Sequence, residues 1–459
     1  MKKKAGPITS PPLSRLTQIA YALPALGLAV VGIPIYVFIP KFYTDTVGIG
    51  ISAVGLLLLI VRLFDAVTDP VIGYLSDRTE TVFGRRRPFI ILGSVGLGIS
   101  ILFLFIPSLS AGIDLTLYFG FWLFVLFFFW TLTTIPYESL GPELTTDYHE
   151  RTTLFGLRDG CLILGTLLAA ASPALIDGVM EWTGRVPAEK DRFFFMAVLY
   201  APLIILLSLV CVRTVRERFR HPPVQQGTLL KNISSVFGNR PFVILLAAYT
   251  ISAFGSNLPA TLILYYVEYV LESANAEIFL LVYFLTGILF LPLWIAISGK
   301  TGKKNAWILS MIVNTGAFAG VFFLGPGDAA AYGILVFISG IGFGAGLALP
   351  SSIQADVIDY DEMKTGHRNE GKYIGLWSVA KKLSAALGVG IGLLLLGSAG
   401  YQPNITQEEE TVRMLRILYA LVPCLCNAAA ILIISFYPIT ETVHNRIRNE
   451  IEKKKDPNR

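Results

Sequence analysis

The sequence predicts an all-α membrane protein: twelve transmembrane helices in two six-helix bundles, with both termini in the cytoplasm. Composition, the length of the apolar blocks and the placement of basic residues all point there. Of 459 residues, 54% are hydrophobic and 15% charged, where a soluble domain carries about 25% charged residues. Mean hydropathy is +0.63. The apolar residues come in blocks of about 20, enough to cross about 30 Å of hydrocarbon as helix and too long for barrel strands of about 9 to 11 residues.

The amino end, MKKKAGPITSPPLSR, is basic and Pro-rich, shows no cleavable-signal pattern and runs into the first block at 16–41. Blocks at 48–77, 88–107, 115–138, 154–177 and 192–213 follow, with GRRR at 84–87 in the second connection. A linker at 214–240, opening on RTVRERFR, divides an amino-terminal bundle (1–213) from a carboxyl-terminal one (241–438). The second bundle has blocks at 241–271, 276–299, 304–325, 329–355, 371–398 and 413–438, and a basic tail occupies 439–459. With both ends inside, most Lys and Arg fall on the inner side, which is the positive-inside bias. That bias accounts for the net charge of +5 without a nucleic-acid partner.

Several function classes drop out. Cys161, Cys211, Cys424 and Cys426 sit in or beside apolar blocks without metal-type spacing, and the four histidines fall in polar loops. No hydrolase-like cluster emerges, so neither an enzyme nor a cofactor is expected. Short loops leave no room for a ligand-binding domain.

The second block carries the chemistry. In RLFDAVTDP, Arg62, Asp65 and Asp69 recur at i, i+3 and i+7, one helical stripe. An aspartate in hydrocarbon costs about 2.5 to 3.5 kcal/mol on insertion scales. Two carboxylates one turn apart repel unless Arg62, a metal cation or a proton lies with them, and Arg62 offsets only one charge. Hard oxygen ligands suit Na⁺ or H⁺ better than a transition metal. A packing ion pair, or a stripe reaching water, is the structural alternative. Aligning Pro70 with Pro292 puts Phe284, Gly287 and Leu291 at the corresponding positions of the second half, so the repeat itself does not require these charges.

GYLSDRTETVFGRRRP after the second block is echoed by AISGKTGKKNA after the eighth, the mark of a duplicated six-helix unit. Gly73, Asp77, Arg78, Gly84, Arg85 and Arg86 resemble the G-x-x-x-D-R…G-R-R turn of the major facilitator superfamily, with a longer spacer. Within it, RLFDAVTDP, FGRRRPF, KFYTDTVG at 41–48, IPYESLGPEL…ERTTLFGLRDG at 135–160 and QADVIDYDEMKTGHRNEGKY at 354–373 resemble the glycoside–pentoside–hexuronide cation symporters. FGRRRPF is also similar to sucrose–proton carriers. The resemblance implies a secondary transporter of the cell (inner) membrane, monomeric, with a small-molecule substrate and a coupling cation, Na⁺ or H⁺. It implies a cation site at Asp65, Asp69 and Thr131, a sugar-site arginine at Arg158 (or Asp159, one residue on), and a cavity lysine at Lys381 that pairs with Asp65 or Asp69 in the cation's absence.

The family's two sugar-chelating aspartates are missing: Ala29 and Thr134 stand in their places, and Trp130 replaces a tyrosine. Glu138 or Asp159 then binds a sugar differently, or the substrate is an amphiphile, as in the related lysophospholipid carriers; an uncoupled uniporter is a further alternative. Trp130, Trp377, Tyr265 and Tyr266 offer aromatic faces, with ordinary packing as the plainer role. Asn257 is the polar candidate of the seventh block, with a helix–helix hydrogen bond as its plainer role. Asp77, Arg85, Arg86, Glu143, Asp356, Asp359, Lys364 and Arg368 are expected to clasp the cytoplasmic ends as a gate. Asn404 begins an NIT sequon in a loop expected outside.

Overall fold

Every apolar block becomes helix, because in hydrocarbon only a helix satisfies each backbone N–H and C=O within one segment. The computed structural model describes residues 13–79, 81–107, 114–145, 148–217, 236–273, 276–366 and 370–455. The helices are α1 (Arg15–Thr46), α2 (Ile51–Arg78), α3 (Arg87–Phe105), α4 (Leu115–Leu144), α5 (Tyr148–Trp182), α6 (Glu189–Thr214) and α7 (Arg240–Tyr269). They continue with α8 (Ala276–Leu289), α9 (Leu291–Thr301), α10 (Lys303–Val321), α11 (Ala329–Thr365), α12 (Glu370–Ser398), α13 (Glu409–Ser435) and α14 (Glu441–Lys455). Among the described residues ten helices are long and apolar enough to cross a membrane, eleven if α8 and α9 form one bent span. The expected ninth span, α10, falls short because it opens on two lysines and carries Asn314.

Local chemistry sets several boundaries. Ser14, Asp114 and Asn239 accept hydrogen bonds from the first free N–H groups of α1, α4 and α7. Gly366, left-handed at φ 75°, ends α11. The expected eighth span breaks by 43° between Leu289 and Leu291. Pro292 follows at once; it has no N–H to donate, and its ring displaces the carbonyl four residues back. Helix α1 includes two π-helical turns, Pro34–Phe38 and Phe42–Thr46.

Contacts divide the chain into two compact units, Met1–Ile35 with Phe64–Val224, and Tyr36–Leu63 with Gln225–Arg459. In the first unit α1 packs on α5 and α6, and α3 packs on α4 and α6. The close approach of α3 to α4 depends on Gly93. A Cβ there would lie 2.7 Å from the backbone nitrogen of Thr133 and 2.9 Å from the Leu132 carbonyl carbon. Gly93→Ala is therefore expected to force the two backbones apart and cost about 1–3 kcal/mol. A matching fall in melting temperature in detergent would show it; an unchanged melt would mean the helices have room to spare.

In the second unit α7 packs on α12 and α13, and α11 on α8 and α10. The tail is a helix, α14. Its Ile447 and Ile451, one turn apart, join a buried apolar cluster with Trp294, Trp307, Ile353 and Tyr437. This anchors a stretch whose composition reads as simple basic tail.

Candidate functional site: a carboxylate pair on the second helix

In the first unit, α2 and α4 bring together the three residues expected to hold a cation. The Thr131 hydroxyl lies 2.6 Å from Asp65 Oδ1 and 3.2 Å from Asp69 Oδ1. The i, i+4 spacing stacks the acids on one face of α2, and Thr131 sits across from them on α4. Asp65 is 2% exposed and Thr131 1%. A single hydroxyl proton serves one carboxylate at a time, so the two acids compete for it. Two carboxylates and a hydroxyl form an all-oxygen set. Among the described residues no group of three or more His, Cys, Asp or Glu is placed to hold a metal.

Arg62, in the second unit, lays its guanidinium over the Tyr36 ring, 4.3 Å from the centroid. An arginine in that position keeps its charge while covering an apolar surface.

The remaining first-unit candidates lie on α4 and α5. Thr134 has a buried hydroxyl oxygen with no hydrogen-bond partner. Glu138 is exposed one turn further along. Arg158 pairs with its neighbour Asp159 at 2.8 Å and covers the Phe155 ring at 4.9 Å. Trp130 stacks against Phe127 with centroids 6.2 Å apart. Tyr21 of α1 is fully buried beside this group and feels the charges of both Arg158 and Glu138. It was absent from the sequence-based set; a lone tyrosine in an apolar block gives no signal of its neighbours.

The second-unit candidates are less uniform. Asn257 donates to the carbonyl of Ala253, one turn back on α7, rather than across to another helix. Trp377 is buried against Tyr249, with centroids 4.0 Å apart. Tyr265 and Tyr266 are also fully buried; Tyr266 donates to Val321 O and stacks on Tyr419. That is the packing role. Lys381 is exposed on α12.

The charged turns differ from expectation. Arg85 and Arg86 both reach Glu143 at 2.6 Å, and the side chain of their other expected partner, Asp77, lies outside the described residues. Glu217 adds a clamp that sequence reading missed: its carboxylate accepts from the backbone N–H groups of Arg85 and Arg86. The turn is thereby tied to the start of the linker. Asp356 is bound by Lys303 at 2.6 Å, and Asp359 by His444 at 3.0 Å and Arg448 at 3.7 Å. Lys364, expected to pair with them, lies over the Tyr360 ring at 4.5 Å, and Arg368 is outside the described residues. The correction has a physical cause. Docking α14 by its isoleucines carries His444 and Arg448 to the end of α11.

Residues 20–441 match the family described as MFS/sugar transport protein, MFS being the major facilitator superfamily. The chain belongs to that family. This transporter is 28% identical to the "Glucuronide carrier protein homolog" of Escherichia coli, over 91% of each chain. It is 27% identical to the "Putative glycoside/cation symporter YagG" of the same organism, over 90% of this chain and 89% of that one. The solved structure of a point mutant of the nucleoside transporter NupG superposes with TM-score 0.65 and 12% identity, covering 91% of this chain and 100% of NupG. The fold is thus that of major facilitator transporters. The relatives agree with the resemblance to glycoside–pentoside–hexuronide symporters. The protein is a transporter and not an enzyme, integral and multi-pass in the cell membrane.

Proposed function

We propose that the chain is a cation-coupled symporter of a glycoside or related sugar, working by alternating access through twelve spans with both termini in the cytoplasm. The observation that carries this reading is the Thr131 hydroxyl set between Asp65 and Asp69. A Na⁺ ion or a proton offsets one of the pair's two charges, and the reduced repulsion draws α2 and α4 together. The neighbouring polar groups of α4 and α5, Thr134, Glu138 and Arg158, then face the sugar. Each ligand raises affinity for the other by the same factor, since linkage is reciprocal. The names of the glucuronide and glycoside/cation relatives support the substrate class and the coupling.

The test is uptake into vesicles from a panel of methyl glycosides, uronides and lysolipids, with Na⁺ and pH gradients imposed separately. One gradient is expected to drive accumulation of a glycoside or uronide. Stimulation by neither would remove coupling, and uptake of lysolipid alone would remove the sugar.

A further inference from the structure

The KFYTDTVG segment has no part in the site above, yet it is tied down by a dense polar network in the second unit. The Asp45 side chain is 2% exposed and accepts from Lys41 and Thr44 at 2.6 Å, Tyr401 at 2.6 Å and Tyr269 at 2.9 Å. Asn404 closes the group from the loop after α12. Its Nδ2 donates to the Asp45 backbone carbonyl at 2.6 Å, and its N–H to Tyr269 Oη at 3.1 Å. Lys41 also pairs with Glu268 at 2.5 Å. Burial, followed by Tyr265 and Asp45, pushes the Tyr401 phenol far above its ordinary range, so it remains a donor. This latch binds the end of α1 to the end of α7 and the loop before α13.

Three latch members, Glu268, Tyr269 and Asn404, also line a pocket of about 500 Å³, with Glu272, Gln407 and Arg416. That volume lies within the range of small-molecule sites. Arg416 has a buried Nε without a hydrogen-bond partner. Glu272 and Asn404 both hold left-handed backbone, at φ 53° and 60°. Such a conformation is unfavourable for glutamate and calls for surroundings that impose it. The lining opposes carboxylate acceptors to guanidinium and amide donors. An anion would meet Glu268 and Glu272, and an apolar ligand would leave the Arg416 Nε without a partner. Hydroxyls, which donate and accept together, satisfy both kinds.

We propose that this pocket is a vestibule site for a polyhydroxylated ligand, and that filling it loosens the latch. The ligand takes Glu268 from Lys41 and Asn404 from the Asp45 carbonyl, so occupancy and release are linked. This rests on the glycoside reading and adds a second site to it, at the end of α1 away from its cytoplasmic start.

The test uses the full chain in lipid nanodiscs, with methyl β-glucoside and methyl β-galactoside as probes and hydrogen exchange as readout. The expected result is a probe-dependent change in exchange over 262–273 and 400–416, weakened at least tenfold in apparent affinity by Arg416→Gln and by Gln407→Ala. Tyr401→Phe, which removes a latch bond but does not line the pocket, is expected to raise apparent affinity about tenfold. Unchanged affinity in Tyr401→Phe overturns the linkage. Protection around Asp65 and Thr131 without change at 400–416 overturns the vestibule site and leaves the transport reading intact. No change anywhere with either probe, together with no uptake of either, overturns both.

Discussion

Asp65→Asn is expected to abolish cation-driven accumulation while leaving the transporter folded and inserted. The substitution preserves shape, and its amide oxygen still accepts from Thr131, which lies 2.6 Å from Asp65 in the native protein. What disappears is half of the charge that attracts the cation. One cation moving through 100 mV supplies about 2.3 kcal/mol, or about fiftyfold accumulation. Vesicles carrying the variant are expected to equilibrate substrate at a ratio near one, with counterflow of labelled substrate retained. Wild-type accumulation by Asp65→Asn would remove the carboxylate pair from the mechanism.

Glu143→Gln is expected to be the most destabilising conservative change among the described charged residues. Glu143 is 7% exposed and stands 2.6 Å from the guanidinium groups of both Arg86, 6% exposed, and Arg85. Losing one partner of a buried pair costs about 3–5 kcal/mol, because the remaining charge stays desolvated. At about 1 °C per kcal/mol for a chain of 459 residues, melting should fall by about 3–5 °C. The comparison is Asp177→Asn, which breaks the more exposed Arg192–Asp177 pair and should cost no more than about 1 kcal/mol. Equal shifts in the two variants would show that the Glu143 pairing is solvated and contributes little.

The cation cluster was legible because its signal is local. Asp65 and Asp69 sit one turn apart in an apolar block, and charge is expensive there. Thr131 came only through family resemblance, since a threonine in the middle of a greasy helix has many ordinary roles. The break after Leu289 had a visible cause in Pro292, but block length alone joined the two helices. In the charged turns the residues were legible but several partners were not. Glu217 lies more than 130 residues from the turn it clamps, and Asp359 is 85 residues from His444. Charge composition says that such groups will be paired but not with which partner. In α14, Ile447 and Ile451 recur at i, i+4, a helical period that the surrounding basic residues obscure. Asp45 shows the opposite case. Its motif was visible in the sequence, while the tyrosines that hold it come from segments more than 220 residues away.

Charge movement on a solid-supported membrane tests the central claim most directly. Proteoliposomes of the wild-type transporter, given a transported glycoside at equal cation concentration on both sides, should produce a transient inward current that Asp65→Asn lacks. Uptake of the same glycoside with no current, and with no proton flux seen by an internal pH dye, would contradict it.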